Sequence, residues 1–350
     1  MNWFDAHLDL AYLAVCGREM ELDLNALRDP RPHPPAAVTL ASLRTGCVRA
    51  CLGTIFTEAR PSNTTASYPD VEYVIGDVEG AHTAGKRQLA WYQAMAQRGV
   101  IELWGCGPVS GKAPDLRLGI LIEGADVIRS PDELPWWVDH GAIAIGLTWA
   151  RGSRYADGNT AEFRTSPRGL TPLGHDMVRA MDALNVVHDV SHLSHRAMDE
   201  LLSMTDRAVI ASHSNCLALL DAGNERHLRD DHIREIASRT NKAGACGVIG
   251  LNLCANFIRP GLRDGERPTI DDAIAHAEHI CEVVGHRRAA GLGSDLDGGF
   301  SALHLPDGIG APRDFVRLAE GLRNRGWNDA EVEDFAWGNW ARFFALPSTL

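Results

Sequence analysis

A parallel (β/α)8 barrel is the fold this 350-residue sequence predicts, on two observations. Short apolar runs alternate with helical patterns along the chain, and eight of the runs suit strands buried on both faces. The polar anomalies sit at the C-terminal ends of those runs, where a barrel gathers its loops. A doubly wound open sheet is the competing arrangement. The length fits one barrel domain over residues 1–350, with a core large enough to fold without disulfides or a structural metal.

The eight runs are 3–8, 48–56, 116–122, 142–148, 186–190, 208–211, 247–253 and 289–293. Residues 30–35, rich in proline, and the polar stretch 60–70 read as loops. Thr171-Pro172 supplies an N-cap and a first-turn proline for a helix running through 177–184. Ser194 is placed to cap 195–204. Thr269 is placed to cap 270–284, where Ile270, Ala273, Ile274, Ala277, Ile280, Cys281 and Val284 form one apolar stripe. Asn328 with Glu331 has the spacing of a capping box for a late helix.

Composition narrows the function. With 34 Lys+Arg against 46 Asp+Glu, the net charge of −12 argues against a nucleic-acid partner, whose phosphates want a basic surface. No apolar run approaches the ~18 residues of a membrane span. The start, Met1-Asn2-Trp3-Phe4-Asp5-Ala6-His7, lacks the basic and apolar segments of a secretory leader. Eight scattered cysteines read as small core residues of a reducing compartment, so a cytoplasmic protein is expected. Cys47 and Cys51 have no second pair to complete a zinc knuckle. Gly105-Cys106-Gly107 is too short for a dinucleotide fingerprint. Neither a Gly-x-Ser-x-Gly elbow nor a phosphate-cradling Gly-x-x-x-x-Gly-Lys occurs.

The strand ends carry the chemistry. The first ends in Asp5-Ala6-His7-Leu8-Asp9, where alternation puts Asp5, His7 and Asp9 on one face. The third ends at Glu123, the fifth in Asp189-Val190-Ser191-His192, the sixth in Ser212-His213-Ser214 and the eighth in Ser294-Asp295-Leu296-Asp297. Together, His7 with Asp9, Glu123, His192 and His213 make a mixed nitrogen and oxygen set that suits zinc, with other divalent metals open. The set is too rich for one catalytic zinc and right for two sharing a carboxylate. His188 reads as a satisfied core residue, and His175, His195, His276 and His279 as structural or solvated helix positions. His140 reads as a loop residue and Trp136-Trp137 as packing.

These motifs, in this order, resemble the membrane dipeptidase (renal dipeptidase-like) family. The resemblance rests on Asp5-Ala6-His7-Leu8-Asp9, Ile122-Glu123-Gly124, Gly146-Leu147-Thr148 and Gly169-Leu170-Thr171-Pro172-Leu173-Gly174. It continues through Asp189-Val190-Ser191-His192-Leu193-Ser194, Ser212-His213-Ser214, Arg226 with Asp230-Asp231, and Gly291-Leu292-Gly293-Ser294-Asp295-Leu296-Asp297-Gly298. It closes on Gly338-Asn339-Trp340-Ala341-Arg342-Phe343, similar to an amidohydrolase-type final helix, and so spans residue 3 to about 345.

The resemblance implies an amidohydrolase-like barrel with two zinc ions that cleaves dipeptides, including those with a C-terminal D-residue, through a hydroxide bridging the metals. It makes His7 and Asp9 ligands of one zinc, His192 and His213 ligands of the other, and Glu123 the bridge. It makes Arg226 the partner of the substrate carboxylate, a task that suits its planar fork. It makes Asp295 the group that passes a proton from water to the leaving amine.

One departure stands out. Many members of the family it resembles place a His directly after Leu-Thr to steady the oxyanion, whereas this chain reads Leu147-Thr148-Trp149-Ala150-Arg151-Gly152-Ser153-Arg154. Trp149 donates only through its indole nitrogen, so Arg151 and Arg154 become candidates for the oxyanion or an acidic substrate. This segment keeps open hydrolysis of N-acyl amino acids, lactones or β-lactam-like rings. A barrel that binds without turnover is disfavoured by the full ligand set. A homodimer is the default for a soluble enzyme.

Overall fold

The computed structural model describes residues 1–104, 115–160, 169–221 and 223–346. The Gly105-Cys106-Gly107 segment lies outside these. Eight parallel strands form the barrel wall: β1 (Trp3–Leu8), β2 (Val48–Phe56), β3 (Arg117–Glu123), β4 (Ala142–Gly146), β5 (Val187–Asp189), β6 (Val209–Ile210), β7 (Ile249–Leu251) and β8 (Ala290–Leu292). Their hydrogen-bonded order runs β7-β8-β1-β2-β3-β4-β5-β6. A parallel bridge from Ala211 to Ile249 joins the two ends of that path and closes the wall. Closure removes the open edges that the competing doubly wound sheet would leave.

Each expected run overlaps one strand, with the third strand running one residue further to Glu123, and the expected caps are made. The Thr171 hydroxyl accepts from the Gly174 N–H at 3.0 Å, starting the helix Pro172–Leu184. Ser194 accepts from the Ala197 N–H at 3.1 Å and starts His195–Met204. Thr269 and Asp272 cap each other's backbone at the head of Ile270–Val284. From its stripe Ala273, Ile274, Ala277 and Ile280 are buried, while Ile270, Cys281 and Val284 pack partly buried against the same core. Asn328 and Glu331 form the late capping box over Asp329–Glu333. Residues 60–70 connect two short parallel strands, Glu58–Arg60 and Glu72–Val74, at the mouth. Among the described residues no helix is long and apolar enough to cross a membrane.

Phe4 and Ala6 of β1, Ala50 and Leu52 of β2, Leu121, Ala144, Ile210 and Val248 form one apolar cluster with Trp337, Trp340 and Phe343. These residues come from many strands at once, so the C-terminal segment plugs the barrel at the end opposite the site. Phe4 stacks on Trp340 at 5.6 Å and on Phe344 at 5.8 Å. The Trp340 indole donates to the Leu292 carbonyl at 3.0 Å, passing over Gly291, where a Cβ would lie 2.3 Å from the indole nitrogen. Gly291→Ala is therefore expected to destabilise by ~1–3 kcal/mol through overpacking, read as a lower urea midpoint at unchanged slope. An unchanged midpoint would show that the plug repacks freely.

Candidate active site

β1 delivers the first donors, and it does so through an irregularity. Its register against β2 shifts between Asp5 and Leu8, so simple alternation fails there. Asp5 accordingly does not join His7 and Asp9: its carboxylate accepts the Ser294 N–H at 2.8 Å, the Ser294 hydroxyl and the His7 N–H at 3.3 Å. The expected common face for all three residues is thus corrected to a pair, His7 and Asp9. Asp5 instead ties β1 to the segment after β8, and burial pushes its pKa up to about 6.

Glu123, the last residue of β3, stands at the centre of the mouth. Its Oε2 lies 3.2 Å from His7 Nε2, and His7 Nε2 lies 3.7 Å from Asp9 Oδ1. Its Oε1 lies 3.1 Å from His192 Nε2 and 3.6 Å from His213 Nε2. One carboxylate therefore turns one oxygen to each of two donor groups. His7, Asp9 and Glu123 form one group, Glu123, His192 and His213 a second, each with donor atoms within 4.8 Å of one another. Asp295 forms a third group with His7 and His213, its Oδ1 4.0 Å from His7 Nε2. All six side chains are buried. His192 and Asp295 hold φ of 67° and 60°, a left-handed backbone that short loops after strands use to aim side chains inward.

The outer hydrogen bonds settle what the donors are. His192 Nδ1 donates to Asn159 Oδ1 at 3.0 Å, which leaves its Nε2 with a bare lone pair. That Nε2 lies 2.9 Å from His213 Nε2. Two imidazole nitrogens that converge with a Glu123 oxygen make a donor set of the kind a divalent metal takes. The Thr54 hydroxyl donates to Asp9, and Asn252 Nδ2 donates to Asp295 Oδ2 at 2.9 Å. Thr54, Asn159 and Asn252 were missed from the sequence. Asn252 did carry a signal, being a polar residue inside an otherwise apolar strand run, and Thr54 a weaker one in a run that also holds Arg49.

Burial and crowding disturb every ionisable group here. Burial opposes charge on His7, but the carboxylates of Glu123, Asp9 and Asp295 overrule it and raise its pKa to about 10. Burial would raise Glu123, yet His7 and His192 hold it well below the usual range. Asp9 rises to about 7 and Asp295 to about 8, both through burial first and the repulsion of neighbouring carboxylates. Burial lowers His192 to about 4 and pushes His213 down as well. A cation entering the cluster reverses this logic by favouring every deprotonated form.

Arg226 is buried beside the cluster. Its Nη1 donates to Ser214 Oγ at 3.0 Å and its Nη2 to the His213 carbonyl at 2.6 Å, while its face lies 5.1 Å from the Phe257 ring. Its buried Nε has no partner. Burial pulls its pKa down, and only Asp295, Glu123 and other anions nearby offset that. Trp149 packs 5.2 Å from Phe56 and 6.1 Å from His192, with the Arg151 guanidinium 5.7 Å over its ring. Arg154 turns elsewhere: it donates to the carbonyls of Ile128 and Arg129 at 3.0 and 2.9 Å. The structure therefore removes Arg154 as an oxyanion or substrate group and assigns it to the scaffold. Away from the site, His276 bonds Cys216 and Ile258, His279 bonds Asp230 and His140 bonds the Trp136 carbonyl. His188 is only half satisfied, with Nε2 on Asp182 and Nδ1 unpaired.

Known proteins are similar to this chain. The family model described as membrane dipeptidase (peptidase family M19) matches residues 1–346. An uncharacterized protein of the pqqA 5′ region of Klebsiella pneumoniae is 31% identical over 206 residues, 58% of this chain and 71% of that protein. An uncharacterized dipeptidase of Schizosaccharomyces pombe is 32% identical over 231 residues, 65% of this chain and 53% of that protein. The match thus spans about half the length of that relative. A solved metallo peptidase from Rhodobacter sphaeroides, liganded with a phosphinate mimic of L-Ala-D-Ala, has TM-score 0.76 at 21% identity, with 99% of each chain covered. At that identity the likeness concerns the fold.

Proposed function

This chain belongs to the membrane dipeptidase family, peptidase family M19, and from that premise we propose that it is a metal-dependent dipeptidase. The observation that carries the reading is the division of Glu123, one oxygen toward His7 and one toward His192 and His213. That division suits two divalent cations, zinc by the character of the donors. His7, Asp9 and Glu123 would hold one, and Glu123, His192 and His213 the other. When bound, such cations polarise a scissile carbonyl and acidify an attacking water.

The remaining work falls to the chain's own residues. Arg226 has donors to spare and a buried positive charge that wants an anion, so it receives the substrate's C-terminal carboxylate. A fixed distance from that anchor to Glu123 selects dipeptides over longer peptides. Asp295, held by Asn252, takes the proton of the attacking water and returns it to the leaving amine. Trp149 and Phe56 wall the site beside His192. The mimic seen in the Rhodobacter relative makes a C-terminal D-residue part of the proposed range.

The test is hydrolysis of L-Ala-L-Ala and L-Ala-D-Ala with metal content measured on the same sample. Turnover with about two metals per chain is expected, and its loss on chelation. The aromatic wall of Trp149 favours one second reading, cleavage of N-acyl amino acids, lactones or β-lactam-like rings. Two metals with turnover of N-acetyl-alanine, and none of either dipeptide, would replace the first reading by the second.

A further inference from the structure

We propose that a single hydroxyl, that of Ser212, sets the ring tautomers of two ligand histidines belonging to opposite halves of the metal site, with Asp189 fixing the direction of its proton. The inference rests on the two-cation reading above, but its geometry stands apart from it. Ser212 Oγ lies 2.8 Å from His213 Nδ1 and 3.2 Å from His7 Nδ1. The two imidazoles stack with ring centroids 3.5 Å apart, so both Nδ1 atoms reach the same oxygen. Ser212 Oγ also lies 2.5 Å from Asp189 Oδ2.

A hydroxyl has one proton and two lone pairs. The short contact to Asp189 takes the proton, because a carboxylate accepts. The two lone pairs remain for the two imidazoles, and each must then present Nδ1–H. Both Nε2 atoms are left free to face Glu123 and a cation. Ser191 Oγ, at 3.4 Å, is the remaining and longest neighbour. His192 gets the same tautomer from Asn159, so among the described residues Ser212 is the outer hydrogen-bond partner that the two halves share, as Glu123 is their shared donor.

The surroundings leave this hydroxyl no other place. Asp189 Oδ1 also accepts the Ser212 and Ser191 N–H groups, at 2.9 and 3.1 Å, gripping the serine by backbone and side chain together. Gly250 and Gly293 flank the Ser212 carbonyl so tightly that a Cβ on either would lie 1.9 or 1.8 Å from its oxygen. Ser212 and Asp189 are both buried. They are positioning residues: Ser212 touches the ligand histidines and Asp189 holds Ser212.

The experiment compares wild type, Ser212→Ala, Ser212→Thr, Asp189→Asn and Asn159→Ala by metal titration and by nitrogen-15 spectra of metal-free protein labelled at histidine. Ser212→Ala is expected to weaken both cation sites, by ~10–100-fold each, whereas Asn159→Ala weakens one. Ser212→Thr keeps the hydroxyl and is expected to restore both. Asp189→Asn turns a donor toward Ser212, which frees the serine proton for an imidazole, so the His213 Nδ1 signal is expected to shift from protonated to bare. A Ser212→Ala protein that loses affinity at one site only or at neither, or a His213 Nδ1 that stays protonated in Asp189→Asn, would overturn the proposal. A wild-type protein that binds no metal would instead remove the proposed function, and the nitrogen-15 arm would still decide the tautomer.

Discussion

Replacing Glu123 by alanine is expected to cost more activity than any other single change, well beyond the ~100-fold upper range seen for the outer partners of metal ligands. The reason is its double use. Both candidate donor groups include a Glu123 carboxylate oxygen, so alanine takes a donor from each. Glu123→Gln should separate the two halves. The amide keeps the shape but turns one oxygen into a donor, which a cation rejects. One metal per chain is expected for glutamine and none retained tightly for alanine, measured by elemental analysis after gel filtration. Two metals per chain in Glu123→Ala would dismiss the bridge.

Much of this arrangement was legible in the residues themselves. Parallel barrel strands are buried on both faces, so each left an apolar run, and five of the eight runs led into His, Asp or Glu residues. Helix starts were equally readable, because Thr171, Ser194, Thr269 and Asn328 cap through local hydrogen bonds that need no tertiary partner. What failed was register. The shift in β1 between Asp5 and Leu8 is imposed by its neighbours and leaves no mark in composition, so Asp5 was placed on the wrong side. Arg154 failed for a related reason: its carbonyl partners at Ile128 and Arg129 lie 26 and 25 residues away. Asn159 is the hardest case, since nothing around a loop asparagine announces a bond to a histidine 33 residues on.

The left-handed backbones at His192 and Asp295 show where the barrel spends conformational strain. Both residues follow a strand by three positions, and both must turn back over the mouth. A β-region residue there would continue outward along the strand. The chain holds these conformations because their side chains are tied on the far side, to Asn159 and to Asn252. The same logic explains why those partners come from distant segments.

Arg226→Ala is the second large effect expected, and its signature is selectivity more than rate. On the proposed role, removing the buried charge that would pair with a substrate carboxylate is expected to cost about 2–5 kcal/mol, or roughly 30- to 4000-fold in kcat/KM. That loss should appear only for substrates with a free carboxylate. The ratio of kcat/KM for a dipeptide over its C-terminal amide is therefore expected to fall toward one. Lysine should not rescue it, because a point charge on a flexible stem lacks the fork that keeps Nη1 on Ser214, Nη2 on the His213 carbonyl and Nε free. The contact with the His213 carbonyl makes a control necessary, since a disturbed His213 could lose its cation. Metal content on the same preparation separates the two routes. If the variant retains its metals and still prefers the free carboxylate by the wild-type ratio, the anchor lies elsewhere and dipeptide length is measured by another group.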